Sequence, residues 1–329
     1  MTLHAEAGTR PRGTPAAGPQ PVRPGSIRNR LSRLDIKGSP YLYVAPFFIL
    51  FAVFGVYPML YTLWISLHNW PLLSAGQSHA FLGLGNFREL YHDSQFWNSV
   101  ENTFGIFVLS TLPQLLMALF LANLLNKRIR SRTFFRMGVI VPIITSTAVV
   151  GIVFNELYSR DFGLFNWLLH GIGIGPIDWK ADRWSSWSAI ATMVNWRWTG
   201  YNALIYLAAM QSIPRDVYES ASLDGASASK QFWRITVPML RPTIIFTVII
   251  STIGGLQLFG EPVTFTTGSG GYRGGATRPY QTMTMYLFEQ MFERGRLGYA
   301  ATVAWVLVMI ILITSILNFL IVRRINSDR

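Results

Sequence analysis

Apolar residues run along this chain in long uncharged blocks rather than in the short alternations of a soluble domain. Residues 38–87 contain no Asp, Glu, Lys or Arg, and 41–66 is the apolar part of that stretch. Further uncharged windows cover 102–126, 137–155, 242–260 and 297–322, and 186–210 is interrupted only by Arg197. A helix of about 20 apolar residues crosses about 30 Å of hydrocarbon. Backbone groups in lipid must bond within their own segment, so runs of this length predict helices. The pattern predicts an all-α integral membrane protein with six transmembrane helices, at about 41–66, 102–126, 137–157, 186–210, 242–262 and 297–322. Pro58, Pro113 and Pro142 fall in the first three spans, where each is expected to kink its helix.

Composition agrees. Only 13% of residues are charged and 50% are hydrophobic, whereas a soluble domain carries about 25% charged residues. The net charge of +12 is unevenly placed. Nineteen of the 28 basic residues lie in 1–40, 127–136, 212–242 and 323–329. Positive residues mark the cytoplasmic side, so both termini and the loops 127–136 and 212–242 are expected there. No basic stripe is interleaved with stacking aromatics outside the spans, which argues against nucleic-acid binding. The chain has no cysteine, so disulfides and thiol catalysis are excluded.

Three domains of different character follow. Residues 1–38 are rich in Pro, Gly and Arg and are expected to form a disordered cytoplasmic tail. Arg28, Arg30, Arg33 and Lys37 suit contact with anionic lipid headgroups. No apolar core of a signal peptide occurs in the first 40 residues, so the first span is expected to serve as an uncleaved anchor. Residues 39–325 form the six-span domain, and 326–329 a cytoplasmic end. The outward loop 67–100 carries Trp70, Phe81, Phe87, Tyr91, Phe96 and Trp97, which suit the interface and an external partner. Segment 158–185 reads as a lip with turn chemistry, and Thr267–Gly275 within 263–296 as flexible.

The loop 214–242 is the most informative. Pro214, Asp216 and Glu219 suit a helix start. Asp224-Gly225 suits its end, and a second short helix is expected over about Ser227–Val237, stopped before Pro238. Phe232 and Ile235, three apart, share a face. The small residues Ala221, Ser222, Gly225 and Ala226 permit close approach by another protein. On physical grounds alone an ordinary cytoplasmic loop fits as well as a docking element.

Glu219-Ser220-Ala221, Asp224-Gly225-Ala226 and Ile235-Thr236-Val237-Pro238 resemble the EAA loop of ABC-type importer permeases. That loop begins Glu-Ala-Ala, continues with Asp-Gly-Ala and ends in an Ile-x-Leu-Pro-like sequence. Ser220 and Val237 are mild departures. Ser212-Ile213-Pro214 and the six-span layout extend the likeness over about 40–325. The chain is most similar to permeases of carbohydrate importers of the maltose type, with a type I (MetI-like) bundle. The resemblance implies that the loop fits a cleft in a separate ATPase, with Gly225 at the tight contact and Glu219 fixing the loop. It implies a second permease, similar or identical, two ATPase subunits and an extracytoplasmic solute-binding protein. It also implies a bacterial plasma membrane and a disaccharide or oligosaccharide cargo. The chain itself would bind no cofactor; ATP and Mg would sit on the partner ATPases, whose closure would flip the spans from inward-open to outward-open.

Ionisable residues inside spans are costly and usually face a cavity or a partner. Arg197 and Glu261 qualify. Asn195, Trp196, Trp198, Tyr201, Asn202 and Gln257 add hydrogen-bonding groups and flat aromatic faces, the chemistry that a sugar ring needs. With Glu261 they form the expected substrate path, in a region that the resemblance supports. The alternatives are an aromatic belt at the interface, and an Arg197 that snorkels or pairs with an acid. Gly254-Gly255 reads as a close helix contact or a bend. No Gly-x-x-x-x-Gly-Lys-Ser/Thr loop is present, so ATP hydrolysis by this chain is not expected. The histidines lack metal-ligand spacing and no hydrolase motif occurs, so the chain does not read as an enzyme. Two readings compete. One is import of another polar solute, such as a glycerol phosphate. The other is an ion-coupled secondary transporter using Glu261 and Arg197, which leaves the loop 214–242 unexplained.

Overall fold

The computed structural model describes residues 40–72, 79–127, 130–265 and 271–327. The expected tail 1–38, residues 267–270 of the glycine-rich run and the last two residues lie outside the described residues. The chain divides into two units, Met1–Leu60 and Tyr61–Arg329.

All regular structure among the described residues is helical. α1 runs over Pro40–Ser66. It contains a π turn at Ala52–Val56, closed by the bond from Tyr57 N–H to Ala52 O, just before Pro58. In the second unit, α2 (Gly85–His92) leads into α3 (Ser94–Asn126), and α4 (Arg132–Ile144) into α5 (Thr147–Leu157). α6 (Leu164–Gly171) precedes α7 (Arg183–Gln211). Then come α8 (Arg215–Leu223), α9 (Ala228–Met239), α10 (Arg241–Leu256) and α11 (Gly260–Phe265). α12 (Met283–Phe288) and α13 (Leu297–Ser327) complete the described chain.

Among the described residues, three helices are long and apolar enough to cross a membrane: Pro40–Ser66, Ser94–Asn126 and Leu297–Leu320. Two bent pairs, α4–α5 and α9–α10 (the latter bent by 69°), could each add one span, giving up to five by length and composition. α7 is 29 residues long but too rich in polar groups to count among them. The segment expected as one kinked span, 137–157, bends by 94° between α4 and α5. Pro142 lies in the last turn of α4, and Thr145 is extended with its Oγ1 donating to Val141 O at 2.8 Å. The helix therefore stops rather than bends gently. The segment 242–262 is also broken: helix ends at Leu256 and resumes at Gly260. Pro113, by contrast, sits inside an unbroken α3.

α3 and α7 share the largest interface. Near α8 and α9, Ala118, Ala122, Ala203 and Tyr206 pack with Leu207, Met210, Phe232 and Leu240. Farther along the same pair, Ile106, Trp187, Ile190 and Met193 pack with Val150, Phe154 and Phe265. Gly200 brings α7 against α4: a Cβ there would lie 1.9 Å from Val139 O. A third cluster joins α2, α3, α10, α12 and α13 through Leu90, Phe96, Leu256, Met283, Val303 and Leu307.

The end remote from α8 and α9 is tied by polar groups that pattern reading had left as a lip and a loose loop. Asn166 holds segment 158–185: its Nδ2 donates to Arg160 O and Ile177 O, both at 2.9 Å, and its Oδ1 accepts from Trp179 Nε1 at 3.0 Å. Asn102 Nδ2 donates to Arg278 O at 3.0 Å and Gln281 O at 3.1 Å, while Asn102 Oδ1 accepts from Trp187 Nε1 at 3.1 Å. Glu289 is buried and accepts from Arg278, Gln281 and Arg294. Burial pulls its carboxyl upward, but Arg278, Gln281 and Arg294 together hold it below the ordinary range. Asp93 caps α3 and accepts from the hydroxyls of Tyr286 and Tyr299. Burial raises it, and these bonds with the Gln95 and Phe96 amides bring it below its ordinary value.

Candidate functional site

Two places carry the residues singled out by sequence. The first is the helix-turn-helix of α8 and α9. α8 starts at Arg215, with Pro214 just before it and Asp216 in the first turn. It ends in a Schellman cap: Ala226 N–H donates to Ala221 O at 2.9 Å and Gly225 N–H to Ser222 O at 3.1 Å. Gly225 has φ +75°, a left-handed conformation that glycine adopts most readily. Its α-carbon faces open space, since a Cβ would meet nothing within 4 Å. Gln231 Nε2 closes the turn by donating to Ser222 Oγ at 2.9 Å and Ala226 O at 3.0 Å. The hydroxyls of Tyr218 and Thr236 meet at 2.9 Å.

The exposed rim is formed by Glu219, Leu223, Asp224 and Gly225, with Ala221 and Ala226 half-buried. Leu223 is 90% exposed. Phe232 does not join this rim. It is 6% exposed and stacks on Phe120 of α3, with ring centroids 5.9 Å apart, so it anchors the loop to the bundle. Ile235 and Pro238 are half-buried. The expectation that α9 stops before Pro238 is corrected. The helix continues to Met239, because Phe232–Thr236 form a π turn whose last bond runs from Val237 N–H to Phe232 O. That shift in register accommodates the proline ring, as it does at Pro58 in α1.

The second place is a cavity of about 460 Å³ between α3, α7, α10 and the break before α11. α7 contributes Val194, Arg197, Trp198, Tyr201 and Asn202, at the i, i+3, i+4, i+7, i+8 spacing of one helix face. Gln257, Phe259 and Glu261 come from the broken stretch, and Ser251, Gly254 and Gly255 from α10. Of the residues expected on the substrate path, Trp198, Tyr201, Asn202, Gln257 and Glu261 therefore meet. Asn195 and Trp196 do not line it: Trp196 lies about 200° around α7 from Val194 and packs near Phe154 at 5.7 Å, while Asn195, at the edge of this face beside Asn202, has its Oδ1 buried without a hydrogen-bond partner. Thr111 and Gln114 of α3 and Thr147 of α5 line the cavity without having been singled out. The signal for the α3 pair was a threonine and a glutamine three apart in an apolar helix. Gly254 opens to the cavity, whereas Gly255 is a packing position, with a Cβ only 2.7 Å from Phe107.

Arg197 Nη1 donates to Glu261 Oε1 at 2.6 Å, and both side chains are buried. Trp198 Nε1 donates to the same oxygen at 3.2 Å, and the Arg197 guanidinium lies over its indole at 5.8 Å. Trp198 and Tyr201 stand edge to face, centroids 6.1 Å apart. Asn202 Nδ2 donates to Ser251 Oγ at 3.3 Å. The cavity thus mixes aromatic faces, amides, hydroxyls and one internally neutralised charge pair.

Both places fall within residues 104–327, which match the family described as binding-protein-dependent transport system inner membrane component. The chain belongs to this family of membrane transport components. The permease component is 38% identical over 301 residues to the lactose transport system permease protein LacF of Rhizobium radiobacter, over 90% of this chain and 97% of that one. It is 32% identical over 287 residues to the arabinooligosaccharides transport system permease protein AraP of Bacillus subtilis (strain 168), over 86% and 88% of the two chains. The fold is that of a chain from a bacterial ABC transporter involved in the import of the acidic polysaccharide alginate. That match has TM-score 0.72 and 22% identity, and covers 90% of this permease and 99% of that chain. The same transporter in complex with an alginate pentasaccharide-bound periplasmic protein matches with TM-score 0.74. A membrane permease component is a transport part rather than an enzyme, and the family description names a binding protein as its dependence.

Proposed function

We propose that this permease imports a disaccharide or oligosaccharide across a bacterial plasma membrane, powered by separate ATPase subunits. The observation that carries the cargo is the cavity, where the faces of Trp198 and Tyr201 stand beside Gln114, Asn202 and Gln257. Sugars offer C–H faces to aromatic rings and hydroxyls to amides, and this lining offers both. The names of LacF and AraP, sugar transport permeases at 38% and 32% identity, support the same cargo class. Trp198, Tyr201, Asn202, Gln257 and Glu261 act as ligand contacts.

Six spans cross the membrane, with α4–α5 as one broken span, α7 as a polar span and α10–α11 as another broken span. Both termini lie in the cytoplasm, following the positive-inside bias. The α8–α9 element docks in a cleft of the ATPase, Gly225 at the tightest contact and Glu219 fixing the loop. A second permease, two ATPases that bind ATP and Mg, and an external solute-binding protein complete the importer. The exposed rim at Leu223–Gly225 and its rigid Schellman cap support this docking role. An ion-coupled mechanism would use Arg197 and Glu261 as coupling groups. Here they are bonded to each other, and the chain belongs to a binding-protein-dependent family.

The test is uptake of labelled disaccharides by the assembled importer in proteoliposomes. Trp198→Ala and Tyr201→Ala are expected to lower uptake while the complex assembles and hydrolyses ATP. Uptake unchanged in both variants removes the cavity from the substrate path.

A further inference from the structure

We propose that the cavity selects uncharged polyhydroxylated ligands against anionic ones, and that the Arg197–Glu261 pair sets this selectivity. The inference rests on the sugar-import reading above. Arg197 and Glu261 are the acidic and basic side chains of the cavity lining, one of each, so the lining is neutral as a whole. The cation is already spent: Arg197 Nη1 binds Glu261 Oε1 at 2.6 Å, and its guanidinium is stacked over Trp198. Arg197 is 9% exposed, and its Nε is buried without a hydrogen-bond partner.

Glu261 uses one oxygen for both protein donors. Arg197 and Trp198 converge on Oε1, and Oε2 accepts no hydrogen bond among the described residues. Oε2 is therefore an acceptor for a ligand hydroxyl, next to an indole face on which the ring can lie. A carboxylate, phosphate or sulfonate in the same place would meet this oxygen as a like charge. It could recruit Arg197 only by stripping Glu261 of its partner, leaving a buried carboxylate uncompensated. Hydroxylated neutral ligands incur neither cost. Glu261 is thus a specificity-determining residue, and Arg197 the positioning residue that keeps it charged and oriented.

The experiment measures calorimetric binding of two probes to the assembled transporter in lipid nanodiscs, without the binding protein. The probes are lactose and the analogue whose galactose 6-hydroxymethyl group is oxidised to a carboxylate. The intact permease is expected to bind lactose about tenfold or more tightly than the acid. Glu261→Gln frees the Arg197 charge and is expected to narrow or reverse that ratio. The double variant Arg197→Gln/Glu261→Gln removes both charges and is expected to narrow the ratio without reversing it; a double variant that keeps the full preference of the intact permease overturns the proposal. Removing one member of a buried pair can unfold the protein; the ratio for the intact permease and for the charge-free double variant then decides. Equal binding of both probes to the intact permease, within about threefold, overturns the proposal while leaving sugar import standing. So does a Glu261→Gln variant that folds and keeps the original ratio. Failure of lactose and of other neutral disaccharides to bind at all sinks the sugar reading itself.

Discussion

Arg278 grips Glu289 with both arms of its guanidinium, Nη1 to Oε2 at 2.6 Å and Nη2 to Oε1 at 2.8 Å. The pair stitches the strained turn at Arg278, which has φ +59°, to the π turn that follows α12. Asn98 and Asn102 of α3 bond the carbonyl of the same arginine. Glu289 is held below its ordinary value of 4.5, so its stabilisation is present above that pH and is lost as pH falls through the lower, folded value. Thermal unfolding of the solubilised protein is expected to move to lower temperature between about pH 5 and 3. Glu289→Gln should be destabilised by about 3 kcal/mol near neutrality and lose the part of the acid dependence that Glu289 contributes. An identical acid dependence in wild type and variant would contradict the account.

The Arg197–Glu261 pair makes a different energetic prediction. Its side chains are 11% and 6% exposed, so removing one leaves a charge in the interior. Arg197→Met or Glu261→Gln alone is expected to cost about 3–5 kcal/mol, and the double variant much less than their sum. A double-mutant cycle on unfolding temperature checks this. Additive losses would mean that the two groups do not depend on each other.

Gly225 separates backbone strain from partner contact. Asn tolerates a left-handed conformation, whereas Val is strongly strained. Both side chains would project into the space that Gly225 leaves open. Gly225→Asn is expected to keep the stability of the isolated permease within about 1 kcal/mol and still to weaken ATPase docking. A pull-down with the ATPase, read beside thermal unfolding, makes the comparison. Full docking by Gly225→Asn would move the tight contact elsewhere on the loop.

Gly200 carries a structural prediction. With Val139 O only 1.9 Å from the position of a Cβ, Gly200→Leu must separate α4 from α7. The expected loss is about 1–3 kcal/mol, seen as reduced yield of folded protein, with any binding defect secondary to it. Gly254→Ala, whose Cβ meets nothing within 4 Å, should leave stability unchanged.

Helices and the turn between α8 and α9 were legible in the sequence because their signals are local. An uncharged window of helical length needs no tertiary information, and the Asp224-Gly225 stop is written in two residues. The breaks at 145–146 and 257–259 were not legible. Pro142 announces a kink, but a 94° turn depends on what α4 and α5 pack against. Gly254-Gly255 read as a close helix contact or a bend: Gly255 makes the contact, against Phe107, and the helix ends just beyond, at Leu256. On the expected substrate path, Trp198, Tyr201 and Asn202 share a face of α7, whereas Trp196 lies on the opposite side of the helix. Asn195 neighbours Trp198 and Asn202 at the i, i+3, i+7 spacing yet does not line the cavity, which spacing alone could not show. The Arg197–Glu261 pair was one of two open readings, since 64 residues separate the partners and only folding brings them together. Glu289, Asn102 and Asn166 went unremarked because a single polar residue gives no pattern until its partners are known.

The central claim is that ATP drives transport through the α8–α9 element. The most direct measurement is labelled disaccharide uptake by proteoliposomes holding this permease, a second permease, the ATPase and the binding protein. Uptake is expected to require ATP, to persist when ion gradients are collapsed, and to disappear in Gly225→Asp while that variant remains folded. Uptake driven by an ion gradient without ATP, or left unchanged by Gly225→Asp, would contradict the account.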